Sequence, residues 1–132
     1  MQKPSSLDLA KLLLRLTVGV MFVSHGLLKV LVFTIPGTAG FFASVGFPAW
    51  SAYIVTPAEI IIGIALILGV YTRLVALASL PILIGAMLVH IGNGWVFSNP
   101  NGGWEYPLYL IATTAVLALL GGGNLALTKS AE

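Results

Sequence analysis

Charge is what this chain of 132 residues has least of: Asp, Glu, Lys and Arg make up 8% of it, against about 25% in ordinary globular proteins. A soluble domain of this size cannot cover its apolar surface with six basic and four acidic side chains, so a water-soluble enzyme is excluded. Cysteine is absent. That excludes a structural disulfide, a Cys-x-x-Cys thiol relay and any thiolate-held metal or cluster. Basic runs are missing as well, and the net charge of +2 comes from scattered Lys and Arg, so nothing points to nucleic acid. The short alternating segments of a β-barrel do not occur either.

What is present is apolar. Hydrophobic residues reach 58% and the mean hydropathy is +1.04. Four continuous stretches, 12–33, 52–70, 74–91 and 106–120, each approach the roughly 20 residues a helix needs to cross about 30 Å of hydrocarbon. They predict an all-α membrane protein, a single four-helix transmembrane bundle over residues 1–132. Lys3, Lys11 and Arg15 before the first run imitate a signal peptide, but no small-x-small cleavage pattern closes it, so the segment is expected to stay.

The basic residues orient the bundle. Lys3, Lys11, Arg15, Arg73 and Lys129 fall on one side, whereas the connections Thr34 to Ser51 and Gly92 to Trp104 hold no Lys or Arg. The positive-inside rule then puts both termini in the cytoplasm, and the expected location is a bacterial cytoplasmic (inner) membrane, multi-pass. Trp50, Trp95, Trp104, Tyr53 and Tyr106 all reach the opposite interface, as an aromatic belt would.

Punctuation adds detail. Thr56-Pro57-Ala58-Glu59 reads as a capping box with proline at the first helical position; either the second span starts there, or a helix begun near Trp50 kinks there. Pro81 predicts a kink in the third span. The segment Ile35 to Trp50 is apolar and uncharged, so it reads as an interfacial anchor or a lid. Ala65 and Gly69 form a small-xxx-small pair that fits a dimer face or internal packing equally.

Ionisable groups in hydrocarbon cost about 2.5 to 3.5 kcal/mol each on the insertion scale, so they need a partner or a purpose. Counting from the span ends, His25, Lys29, Glu59, His90 and Glu105 all fall in the outer leaflet, at least one on each span. They are the candidate ligand-binding residues, with Trp104 beside them; the sequence names no catalytic residue. His25 and Lys29 lie about 40° apart on one helical face, along with Gly19, Phe22 and Gly26, which let a helix or a flat ligand come close. Each residue also has an ordinary reading. Glu59 can complete the capping box or pair with Lys29, Lys29 can snorkel, His90 can bond a loop carbonyl, and Glu105 suits a helix N-terminus. Trp104 can be a belt residue, and Arg15 and Arg73 can serve topology alone.

The histidines fit a haem or metal poorly, because their depths differ by roughly 6 Å; neither is expected. A quinone fits better: its carbonyls would accept from His or Lys, a carboxylate would exchange protons, and aromatic rings would flank it.

These residues carry a resemblance. Arg15 followed by Val23-Ser24-His25-Gly26-Leu27-Leu28-Lys29 resembles the N-terminal signature of the DoxX family. Glu59-Ile60-Ile61-Ile62-Gly63 through Leu68-Gly69-Val70-Tyr71-Thr72-Arg73 is similar to that family's second span. His90-Ile91-Gly92-Asn93-Gly94-Trp95 and Gly102-Gly103-Trp104-Glu105-Tyr106-Pro107 match its later elements. Ala126-Leu127-Thr128 departs from the Ser-Leu-Asp that many members carry after the glycine turn. The resemblance implies a four-helix integral membrane protein in a family named after a thiosulfate-oxidising, quinone-reducing system and often described as oxidoreductases. Relatives in the wider group act in assembly or chaperoning.

The expected function is therefore a quinone-interacting subunit of a membrane redox system. Its partners would be the lipid bilayer, a lipid-soluble small molecule and a redox partner protein, with a homo-oligomer as a further option. The alternative is a non-catalytic scaffold, assembly factor or chaperone whose polar cluster holds the helices in register. Proton-coupled transport of a small solute ranks behind both, since the chain shows no inverted repeat or broken helix.

Overall fold

A computed structural model describes residues 3–128; Lys129, part of the topology argument, lies outside the described residues. Five α-helices follow in order: α1 (Ser6–Leu31), α2 (Ile35–Ser44), α3 (Ala52–Leu68), α4 (Thr72–His90) and α5 (Glu105–Leu120), with single 3-10 turns at Ala49–Ser51 and Ile91–Asn93. The described residues contain no strand.

The four apolar stretches become α1, α3, α4 and α5, and α2 is an addition. It forms because Thr34 accepts from the Gly37 N–H at 3.1 Å and Pro36 stands in the first turn, where its missing N–H costs nothing. Its axis turns 101° from α1. Two helical segments, Ala49–Leu68 and Thr72–Asn93, are long and apolar enough to cross a membrane; α1 meets that criterion only together with α2. At 16 residues, α5 is about 24 Å long and shorter than a full crossing.

The start of α3 resolves the choice at Thr56. The helix begins at Ala52 and runs through Pro57, and no capping box forms: the Thr56 hydroxyl is buried without a partner while Glu59 turns to Lys29. α3 ends at Gly69, whose φ of 78° is a conformation only glycine adopts without strain. α4 passes Pro81 without a break in the helix.

α1 packs most extensively on α3, and α4 on α5. Val18, Phe22, Leu66, Ala76, Leu83, Leu110 and Leu117 form the core between them. Backbones meet closely at the crossing of α1 and α3. A Cβ on Gly19 would stand 2.8 Å from the Gly63 carbonyl oxygen, and one on Gly63 would stand 2.6 Å from that of Gly19. The glycine stripe thus admits a helix, and Gly69, set against Ala126 and Arg15, serves internal packing.

Arg15 is more than a topological charge. It is fully buried, and its guanidinium donates to the carbonyls of Leu66, Ile67, Gly122 and Leu125 at 3.0 to 3.2 Å. The first two lie in the last turn of α3, where Leu66 also accepts from the Gly69 N–H at 3.2 Å and where a cation is favoured by the helix dipole. The segment after α5 continues this closure: the N–H groups of Leu127 and Thr128 donate to the carbonyls of Leu68 and Gly69, and the Thr128 hydroxyl accepts from the Tyr71 N–H. Asp8 joins in from α1. It completes a capping box with Ser5 and accepts from the Asn124 N–H.

Candidate functional site

α1 ends with His25 and Lys29 one turn apart, and the antiparallel α3 brings Glu59 opposite Lys29. The ammonium donates to both carboxylate oxygens, at 2.8 and 2.7 Å. The side chains are 19% and 7% exposed, so the charges neutralise each other largely out of solvent. Lys29 pairs with Glu59 rather than Glu105.

His25 and His90 have matching arrangements. In each, Nδ1 lies on the carbonyl one turn back: Met21 at 2.7 Å for His25, Ala86 at 2.8 Å for His90. A carbonyl only accepts, so Nδ1 carries the proton, and in the neutral ring Nε2 keeps a lone pair. No hydrogen bond engages either Nε2 among the described residues.

The connection from α4 to α5 is folded on itself. Trp104 N–H donates to Gly94 and Glu105 N–H to Trp95, while the Asn99 side chain donates to the Asn93 carbonyl. Gly94, Asn101 and Gly102 take positive φ to make the turns. The Glu105 carboxylate accepts from the Phe97 N–H at 3.2 Å, holding this loop at the mouth of α5. Gly102 leaves room for His90, whose Nε2 would lie 3.5 Å from a Cβ there.

A cavity of about 940 Å³ lies between α1, α4, α5 and this loop. Five of the six expected residues line it: His25, Lys29, Glu59, His90 and Glu105. Trp104 does not; its ring packs edge-on against Trp95, centroids 4.5 Å apart, and Trp95 faces the cavity in its place. Phe97, Tyr106 and Tyr109 also line it, in addition to the residues expected from the sequence. Their signal was present in the i, i+3 spacing of Tyr106 and Tyr109 at the start of an apolar helix. No residue of α2 lines the cavity, so the cover is the Gly92–Trp104 connection and not the Ile35–Trp50 segment. Among the described residues no three His, Cys, Asp or Glu side chains converge to hold a metal ion.

The comparisons with known proteins agree with the motifs. The DoxX family model matches residues 10–91. The chain belongs to the DoxX family. It is also 35% identical over 122 residues to a Bacillus subtilis (strain 168) protein named "Putative oxidoreductase CatD", covering 92% of this chain and 87% of that one. No solved structure matches. The family match includes Arg15, His25, Lys29, Glu59 and His90, while Trp104 and Glu105 lie beyond it.

Proposed function

We propose that this DoxX protein is a membrane-embedded, quinone-interacting subunit of a redox system in a bacterial cytoplasmic membrane, with both termini cytoplasmic. The observation that carries the reading is one cavity lined by two histidines, a neutralised Lys29–Glu59 pair, Glu105 and the five aromatic rings of Phe22, Trp95, Phe97, Tyr106 and Tyr109. Apolar walls with a few convergent polar groups suit a flat, lipid-soluble headgroup. The quinone carries the electrons, and a partner protein supplies the other half-reaction. The chain's own residues bind the headgroup, exclude water and offer His Nε2 and the carboxylates as proton acceptors.

The scaffold alternative needs polar groups that tie helix to helix. Lys29–Glu59 does this, but among the described residues the histidines bond only to their own helices, which register alone does not require.

The test is mass spectrometry of organic extracts from detergent-purified protein, beside an absorption spectrum. A stoichiometric quinone, absent from a folded His25→Phe variant, is the expected result. Folded wild-type protein that neither retains nor takes up a quinone would overturn the proposal in favour of the scaffold.

A further inference from the structure

The polar lining of the cavity is rich in acceptors and poor in donors. His25 and His90 each spend their one proton on a backbone carbonyl, so both offer Nε2 as an acceptor. Glu105 and Glu59 are acceptors when ionised. The donors of the lining are the Trp95 indole N–H and Lys29, which commits two of its three N–H groups to Glu59. The hydroxyls of Tyr106 and Tyr109 serve either way and do not discriminate. A quinone headgroup presents two carbonyl oxygens, which can only accept; its two-electron-reduced form presents two hydroxyls, which can donate. An acceptor facing an acceptor leaves both desolvated and unpaired, whereas a hydroxyl facing Nε2 satisfies both.

Building on the quinone reading, we propose that the site selects the reduced, dihydroxyarene form, with its hydroxyls donating to Nε2 of His25 and His90. The tautomers reverse the direction of hydrogen bonding that the residue types alone suggest. Binding the reduced form tenfold more tightly would raise the potential of the bound couple by about 30 mV, since a two-electron couple shifts that much per tenfold in the binding ratio. The pocket would then hold the quinol until a partner takes its electrons.

The experiment is equilibrium binding of menadione, its anaerobically reduced quinol, and the quinol's monomethyl and dimethyl ethers to detergent-purified full-length protein. Each methylation removes one donor without touching the protein. The expected order is quinol tightest, by tenfold or more over menadione, with the monomethyl ether between and the dimethyl ether near menadione. Equal affinities across the series, or tighter binding of menadione, would overturn the selectivity and leave the quinone reading standing. No binding by any of the four would count against that reading itself. His25→Phe and His90→Phe, checked for folding by gel filtration, are expected to weaken the quinol several-fold and menadione little; an equal loss for both ligands would also count against the inference.

Discussion

Arg15 and Gly122 meet across 107 residues of sequence, the guanidinium Nε donating to the carbonyl at 3.2 Å. The same side chain holds the end of α3, so one charge joins the start of α1, the end of α3 and the turn after α5. Lysine has a single nitrogen and cannot reach four carbonyls in a planar fork. Arg15→Lys is therefore expected to cost at least about 2 kcal/mol, the scale of one or two buried acceptors left unpaired, with Arg15→Met costing more. Thermal unfolding in detergent measures it; unchanged melting would deny the guanidinium its structural role.

The crossing of α1 and α3 gives a paired comparison. Gly63→Ala puts a methyl 2.6 Å from a backbone oxygen and 2.7 Å from the Val23 nitrogen, and backbone cannot step aside as a flexible side chain can. Overpacking of this kind costs about 1 to 3 kcal/mol. At Gly85 the nearest atom to a new Cβ is 3.9 Å away, so Gly85→Ala is expected to be neutral or to stabilise by up to about 1 kcal/mol through helix propensity. Equal melting temperatures for the two variants would remove close packing as the reason for the glycine.

Lys29→Met or Glu59→Leu alone leaves a largely buried charge without its partner, and a loss of up to about 3 kcal/mol is expected. Removing both is expected to recover most of it, so a double-mutant cycle should give a strong positive coupling. If the single losses simply add, the pair is not the stabilising unit.

Asp8 lies in the first turn of α1, ahead of the apolar part of the helix. The Asn124 N–H, then the Ser5 N–H and hydroxyl, hold its carboxyl down at about 2 against an ordinary 3.8. A carboxyl depressed in the folded state contributes stability that is complete above its unfolded pKa and lost as pH falls toward the folded one. Wild-type protein is thus expected to lose stability relative to Asp8→Asn between about pH 4 and pH 2. Parallel unfolding curves for the two proteins across that window would contradict the assignment.

Which parts of this were legible in sequence depended on the range of the interactions. Apolar runs give α1, α3, α4 and α5, since a long continuous run leaves a helix little choice. Thr56 to Glu59 leaves two readings open in sequence, because a local capping pattern competes with a partner, Lys29, on another helix; in the structure the charge pair forms. The depth count brought His25, Lys29, Glu59, His90 and Glu105 to one cavity. It could not tell Trp95 from Trp104, because which ring of a folded loop faces inward is set by hydrogen bonds such as Glu105 to Phe97. Arg15 was readable only as a charge near a helix start, and its four acceptors are spread from Leu66 to Leu125. The Ser5 and Asp8 capping box has a local signal in its three-residue spacing, while the Asn124 contact has none.

The Arg15 closure also sets an order in time. During synthesis α1 appears first with its guanidinium unmet, and the carbonyls of Gly122 and Leu125 come more than a hundred residues later. The carbonyls of Leu66 and Ile67 answer part of it once α3 is made, and the guanidinium keeps its remaining N–H groups unmet until the turn after α5 arrives. The last turn therefore completes a set of four hydrogen bonds that α3 has half filled, and a chain stopped before Gly122 holds its arginine only half answered.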